Sequence, residues 1–203
     1  MLKISLEGFP VGIKELEPQD LKSLQDYYLP LILDDGNTVS SNSASKISKN
    51  LSQRYDSDFF KKWNEVLLPR PYIQDYIDSF MFKFPYDIDI ETWYNVHEQY
   101  DHQQLHNHIT TNVPAFSCVV ILKQPSPEAG QFVFRTPSLS NHLKYLELDP
   151  MNQFPNTFEP EMKEGLILMF PSCLEHYVYL NQTTEPRVVF SSNITLKRKG
   201  NLF

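Results

Sequence analysis

Residues 164–171 read Glu164-Gly165-Leu166-Ile167-Leu168-Met169-Phe170-Pro171. An unbroken apolar run between a glycine and a proline predicts a strand that is buried on both faces and ends in a turn at the proline. The next residues, Ser172-Cys173-Leu174-Glu175-His176, bring a histidine into position five residues after that proline. We therefore expect His176 to lie at the end of a core strand.

Arg187 follows His176 by eleven residues and stands next to Val188, Val189 and Phe190. A buried arginine is costly unless it meets an anion, and its planar guanidinium binds a carboxylate through two parallel hydrogen bonds. Two other readings stay open: the side chain extends outward into solvent, or it pairs with Glu185.

His106 and His108 are two residues apart in Gln103-Gln104-Leu105-His106-Asn107-His108. Residues at this spacing project from the same face of an extended strand, and imidazole is the commonest metal ligand in proteins. Such pairs also occur by chance in polar loops, so the pair alone is weak evidence. Together with His176 and Arg187, it predicts a metal site beside an anion-binding arginine.

The rest of the chain divides into a helical part and a strand-rich part. Residues 1–16 alternate as a hairpin does, residues 35–50 have the composition of a loop, and three segments near residues 17–30, 59–68 and 72–82 show helical spacing. From Ile90 onward, the chain has short apolar runs separated by turn residues, a pattern typical of an antiparallel sandwich or barrel. The runs are Thr92 to Val96, Ala115 to Leu122, Gln131 to Arg135, Gly165 to Phe170, Tyr177 to Leu180 and Arg187 to Leu196.

Composition limits the possible functions. A chain of 203 residues with 41% hydrophobic residues suits one domain, and a net charge of -7 disfavours nucleic acid as a partner. We find no signal peptide and no apolar run of membrane-spanning length, so we expect a soluble cytoplasmic protein with no membrane partner. Cys118 and Cys173 lie in apolar runs, so we interpret them as small buried side chains rather than as a disulfide.

These residues, taken in order, resemble the iron(II)- and 2-oxoglutarate-dependent oxygenases of the prolyl-hydroxylase-like superfamily, and the similarity is greatest to its uncharacterised phage and bacterial members. The resemblance covers about residues 90 to 196. It is carried by Trp93-x-Asn95, His106-x-His108, Ser117, Gly165-x4-Phe170-Pro171-Ser172-x3-His176, Arg187 and Asn193.

The resemblance implies a mainly β fold, a double-stranded β-helix of the jelly-roll or cupin-like kind, with N-terminal helices packed outside the barrel. Residues 1–88 would form the hairpin and helical support, and residues 89–203 the catalytic core of a single domain. His106 and His176 take metal-ligand positions, and Arg187 the position that binds the far carboxylate of 2-oxoglutarate. The remaining residues that we assign to co-substrate binding are Asn95, Ser117, Ser191 and Asn193.

The family's usual His-x-Asp is here His106-Asn107-His108, so a histidine stands where the acid is expected. Three histidines could hold the ion, or a carboxylate from Asp101 or Glu98 could fold in from the preceding turn. Alternatively, His108 is a structural neighbour and water or substrate takes its place. We favour three histidines, because the i and i+2 spacing needs no distortion.

The resemblance further implies an Fe(II)- and 2-oxoglutarate-dependent dioxygenase that consumes O2, hydroxylates an unknown substrate such as a peptidyl proline, and releases succinate and CO2. A small molecule is an equally acceptable substrate. The alternatives are a non-catalytic cupin-like module that binds metal or sugar, and a structural virion-associated protein. The sequence leaves the oligomeric state open, with a homodimer among the options. We expect the helical third and the loop at 136–163 to frame the substrate entrance.

Overall fold

The structure is a computed structural model of the chain. It describes residues 2–6, 9–34, 38–40, 46–48, 58–67, 72–82, 85–109, 114–135 and 157–199.

Two antiparallel β-sheets form the body of the protein. Within the described ranges, twelve strands build them: β1 Leu2–Leu6, β2 Phe9–Glu15, β3 Thr38–Ser40, β4 Lys46–Ser48, β5 Tyr86–His97, β6 Gln103–His106, β7 Phe116–Lys123, β8 Phe132–Arg135, β9 Thr157–Phe158, β10 Leu166–Pro171, β11 Glu175–Val178 and β12 Arg187–Arg198. The major sheet has the order β1-β2-β10-β7-β12-β5-β4-β3, and the minor sheet β6-β11-β8-β9. This arrangement is the jelly-roll, double-stranded β-helix fold that the sequence predicted.

The N-terminal hairpin is part of the major sheet. Strands β1 and β2 pair antiparallel, and β2 continues the sheet by pairing with β10, with Ile13 opposite Leu168. The apolar run at Gly165–Pro171 is therefore flanked by a strand on each side, β2 and β7. Alternate side chains of this strand enter two different apolar cores, with Ile167 and Met169 in one and Leu168 and Phe170 in the other, and this explains why the run has no alternation of polar residues.

Three α-helices lie on one side of the barrel, as predicted. They are α1 Pro18–Leu33, α2 Lys61–Leu67, which continues a 3-10 turn at Asp58–Phe60, and α3 Tyr72–Asp78. One apolar core joins these helices to the major sheet and contains Tyr28, Trp63 and Tyr76 together with Val120. Phe190 of β12 is at its centre, with its ring centroid 4.3 Å from that of Trp63 and 4.9 Å from that of Tyr28.

A second apolar core fills the space between the two sheets. It contains Val119 and Val189 from the major sheet and Phe132, Phe134 and Val178 from the minor sheet. Strand β12 contributes side chains to both cores, because alternate residues of a strand point to opposite faces. Phe190 faces the helices, whereas Arg187, Val189 and Ser191 share the face that looks into the barrel.

Three sequence predictions need correction. Cys118 is buried as expected, but Cys173, in the turn after β10, is exposed. Residues 35–50 are not only a loop: β3 and β4 pair with each other, and β4 adds to β5 at the edge of the major sheet. The helices do not frame the site described below, because they pack on the far side of the major sheet from the minor sheet. Most of the loop at 136–163, residues 136–156, lies outside the described residues. No helix in the described ranges is long and apolar enough to cross a membrane.

Candidate metal centre and anion site

Two of the three histidines are brought together by strand pairing. His106 ends β6 and His176 lies in β11, and the two residues are direct partners in the antiparallel register. Their ring centroids are 4.2 Å apart. Because opposite residues of neighbouring strands project to the same face, the register places both rings inside the barrel.

His108 reaches the same place from beyond the end of β6. Its backbone N–H donates to the Ser172 carbonyl at 2.8 Å, which fastens this segment to the turn after β10. Its ring stacks on that of Trp93, with centroids 5.8 Å apart. His108 Nε2 lies 3.2 Å from His176 Nε2. The ligand atoms of all three histidines lie within 4.8 Å of one another.

Each histidine is oriented by an oxygen at its other ring nitrogen. His106 Nδ1 meets the Gln104 carbonyl at 2.7 Å, His176 Nδ1 meets the Leu174 carbonyl at 3.0 Å, and His108 Nδ1 meets Asn193 Oδ1 at 2.6 Å. A carbonyl oxygen only accepts hydrogen bonds, so each Nδ1 carries the proton and each Nε2 presents a lone pair. The lone pair of His106 Nε2 accepts from Gln103 Nε2 at 3.2 Å. This is the arrangement that holds imidazole ligands toward a metal ion.

Burial keeps the three rings neutral. It lowers the pKa of His108 to about 4, lowers that of His106, and lowers that of His176 well below its ordinary value, with the neighbouring histidines adding to the effect at His108 and His176. A metal ion therefore has no proton to displace near pH 7. The donor set fits a divalent transition metal, which imidazole binds readily.

The carboxylate alternatives at the third position are not brought to the histidines. Asp101 Oδ2 accepts a hydrogen bond from the Glu98 backbone N–H at 2.8 Å, closing a turn before β6. Among the described residues, the potential metal-binding group consists of His106, His108 and His176 and includes no carboxylate. This supports the reading in which three histidines would hold the ion.

Arg187 is fully buried, at 0% exposure, and does not extend into solvent. Its Nε donates to Gln124 Oε1 at 2.9 Å, and Nη1 lies 3.4 Å from His97 Nδ1. Nη2 has no hydrogen-bond partner among the described residues. Glu185 does not pair with Arg187, since its carboxylate binds Lys123 at 3.0 Å. Burial lowers the pKa of Arg187 to about 9, so the cation remains charged at neutral pH without a counterion from the described residues.

One cavity connects the three histidines with Arg187. It is lined by Trp93, Gln103, His106, His108, Val119, Phe132, His176, Val178, Arg187, Val189 and Ser191. The free volume is about 10 Å³, roughly the room that one water molecule needs. A five-carbon dicarboxylate therefore enters only after side chains along the cavity move. Gln103, which is half-buried, lines this cavity next to the histidines, with its Nε2 3.2 Å from His106 Nε2.

The other sequence-predicted residues have distinct positions. Ser191 lines the cavity, and Asn95 donates to its hydroxyl at 3.1 Å. Asn193 contacts His108 as described above, while the Ser117 hydroxyl bonds to that of Ser172 at 3.0 Å. Asn95 and Ser117 thus reach the site only through neighbouring groups, which the strand pattern alone did not indicate.

Sequence reasoning missed two buried polar residues of the site. Gln124 follows β7 and fixes Arg187 through the contact given above, and Asn181 is fully buried in the turn before β12. The Asn181 amide donates to the carbonyls of His97 and Glu185, both at 2.9 Å, and so ties this turn to the end of β5. A single Gln or Asn in a turn-rich stretch carries no signal of these contacts.

Comparison with known protein families shows to which family the chain belongs. Residues 91–193, just over half of the chain, match the sequence model of the family described as "Putative 2OG-Fe(II) oxygenase". The chain belongs to this 2OG-Fe(II) oxygenase family. The matched segment begins in β5 and ends at Asn193, and it contains all three histidines and Arg187. No curated protein sequence matches the chain.

Solved structures share the oxygenase fold at low sequence identity. A Pseudomonas putida prolyl-4-hydroxylase superposes with a TM-score of 0.65 at 12% identity, covering 93% of this chain and 92% of that one. The alpha-ketoglutarate-dependent epimerase SnoN from nogalamycin biosynthesis gives 0.64 at 15% identity, with 91% and 77% covered. HygX from Streptomyces hygroscopicus, solved with nickel and 2-oxoglutarate, gives 0.60 at 14% identity, with 91% and 82% covered. At these identities the likeness establishes the fold alone.

Proposed function

We propose that this oxygenase binds Fe(II) through His106, His108 and His176, binds 2-oxoglutarate through Arg187, and hydroxylates a small molecule or a peptidyl residue with release of succinate and CO2. One observation carries the proposal. Three Nε2 lone pairs and a buried guanidinium that has no counterion among the described residues face the same cavity. A non-catalytic metal-binding barrel would not need the buried cation at such a cost in solvation.

When bound, iron(II) with 2-oxoglutarate supplies the oxidising chemistry, in which one atom of O2 enters succinate and the other enters the substrate. The histidines hold the ion on one side of the cavity, and three protein ligands leave positions open for exogenous groups. Because all three ligands are neutral, the protein does not offset the metal charge. A dianionic co-substrate offsets it, which favours binding of 2-oxoglutarate next to the ion.

Arg187 fixes the orientation of the co-substrate. Its unpartnered Nη2 is available to bind the far carboxylate, and a charge-assisted hydrogen bond in a buried site is strong and directional. Ser191 lies on the same face of β12, two residues beyond Val189, and can donate its hydroxyl to a bound carboxylate. The near end of the co-substrate is then held toward the histidines before O2 binds.

Apolar side chains restrict water around the reacting groups. Phe132 stacks on His176 with ring centroids 5.1 Å apart, and Phe170 packs against the same ring at 4.9 Å. Val119 and Val189 form the wall on the major sheet between the histidines and Arg187. Exclusion of water protects a reactive centre from side reactions.

The test is an anaerobic titration of the iron(II)-loaded protein with 2-oxoglutarate, followed by the weak visible charge-transfer band of the chelate. We expect saturable development of the band in the wild type. Arg187→Met should weaken 2-oxoglutarate binding at least about tenfold. Arg198→Met is the matched control, because Arg198 lies at the exposed far end of the same strand, and it should bind as the wild type does.

Two further measurements complete the test. 2-Oxobutyrate lacks the far carboxylate, so the wild type should bind it more weakly than 2-oxoglutarate, whereas Arg187→Met should no longer distinguish the two. Succinate formation under air then reports turnover, and the gain of one oxygen atom, measured by mass spectrometry on candidate peptides and small molecules, reports hydroxylation. Absence of the band in the wild type would contradict the proposal.

A further inference from the structure

Arg187 is held by neutral groups on two sides. Gln124 Oε1 accepts from Nε at 2.9 Å, and His97 Nδ1 lies 3.4 Å from Nη1. His97 is the cross-strand partner of Arg187 in the β5–β12 pairing and is 1% exposed. These contacts engage Nε and Nη1 of the guanidinium without adding negative charge, and this is unusual because buried cations are generally paired.

The amide of Gln124 is itself fixed in orientation. Its Nε2 donates to the Ser126 carbonyl at 2.8 Å, so Oε1 is the atom turned toward Arg187. Its backbone N–H donates to Glu164 Oε1 at 3.1 Å. Behind the arginine, Gly130 has φ +84, and a Cβ on this residue would lie 3.6 Å from Arg187 Cδ and only 3.1 Å from the Tyr179 carbonyl. The Arg187 side chain therefore lies in a groove whose wall includes Gly130.

Carboxylates in this region are engaged elsewhere. Glu185 pairs with Lys123 at 3.0 Å, and Glu164 binds the Gln124 backbone and the Gln25 amide. A glutamate at position 124 would nearly match the shape of glutamine and would place a carboxylate on Nε. Glutamine at this position thus leaves the charge of the arginine available.

We propose that Gln124 and His97 act as positioning residues that hold Arg187 without neutralising it, so that the unpartnered Nη2 is kept for the far carboxylate of the co-substrate. This inference rests on the proposed function. It concerns selectivity as well as affinity. A dicarboxylic 2-oxo acid and its monocarboxylic analogue differ only in the carboxylate that the free cation binds. An internal ion pair at Arg187 would therefore reduce the difference between their binding affinities.

Gln124→Glu tests this inference in the full-length protein. We expect the dissociation constant for 2-oxoglutarate, measured by anaerobic titration of the iron(II)-loaded protein, to rise at least about tenfold. The preference for 2-oxoglutarate over 2-oxobutyrate should fall in the same proportion. Iron(II) affinity should stay within about twofold of the wild type, because Gln124 does not contact the histidines. The melting temperature without ligand shows whether the variant is folded, because the new carboxylate would pair with Arg187 but would lose the hydrogen bond to the Ser126 carbonyl.

Gln182→Glu is the matched control. It makes the same change of charge at an exposed residue in the turn before β12. The backbone N–H of Gln182 donates to the Glu128 backbone carbonyl, and the Gln182 side chain is exposed to solvent. This variant should bind 2-oxoglutarate as the wild type does. Wild-type affinity in Gln124→Glu would overturn the inference and leave the proposed function intact, whereas a wild type that does not bind 2-oxoglutarate would overturn both.

Discussion

Asn193 Oδ1 accepts a hydrogen bond from His108 Nδ1 at 2.6 Å, across 85 residues of sequence. This contact fixes the tautomer of His108. Asn193 lies opposite Ser117 in the major sheet, so the third proposed ligand is oriented by the major sheet rather than by the segment after β6 that carries it.

The first prediction concerns this contact. Asn193→Leu should lower the affinity for iron(II) by about 10- to 100-fold, because the partner that orients a metal-binding histidine contributes to affinity on this scale. Ser192→Ala is the matched control: Ser192 bonds to Thr92 at 2.9 Å and does not contact the histidines. Anaerobic metal titration measures both, and equal affinities in the two variants would contradict the role of Asn193.

The second prediction concerns the identity of the third ligand. His108→Ala should lower iron(II) affinity at least about tenfold, since a ligand is lost. Asp101→Asn should leave the affinity unchanged, because the Asp101 carboxylate binds the Glu98 backbone in the turn before β6. The reverse result, with a loss only in Asp101→Asn, would show that a carboxylate completes the site.

The third prediction uses Trp93 as an optical reporter. Trp93 stacks on His108, whereas Trp63, the other tryptophan of the chain, packs against Phe190 in the helix-side core. Binding of a transition metal ion with a partly filled d shell should quench part of the tryptophan emission in the wild type. Trp93→Phe should abolish the quenching, while a dialysis measurement still detects bound metal. Quenching that persists in Trp93→Phe would contradict the geometry.

The fourth prediction concerns stability at acid pH. Burial, with smaller contributions from Arg187 and His102, holds the pKa of His97 well below 6.5 in the folded protein. Below about pH 6.5 the unfolded chain binds a proton at this histidine that the folded chain does not, so the free energy of unfolding falls as the pH decreases toward the folded pKa.

His97→Gln should therefore reduce the pH dependence of the metal-free protein by up to about 1.4 kcal/mol per pH unit below pH 6.5. Urea unfolding at pH 7.5 and pH 5.5 measures the difference between the two proteins. The comparison uses the change with pH, so a constant loss of stability in the variant does not affect it. Identical slopes would show that His97 takes up a proton in the folded state.

The sequence alone determined the class of fold and most of the site. Apolar runs bounded by Pro, Gly and Asn predicted the strands of the barrel, because the period of hydrophobic residues follows from the geometry of a strand. The spacing of His106, His108, His176 and Arg187 predicted the histidine group and the arginine. Their roles in binding metal and co-substrate stay predictions.

Only the tertiary structure decided the neighbours of these residues. Gln124 and His97 meet Arg187 across 63 and 90 residues of sequence, and no local pattern encodes such contacts. The structure also showed that the N-terminal hairpin extends the major sheet and that the helices cover its outer face. The physical reason is that strand periodicity specifies which side chains face inward, whereas the register between distant strands specifies which inward side chains meet.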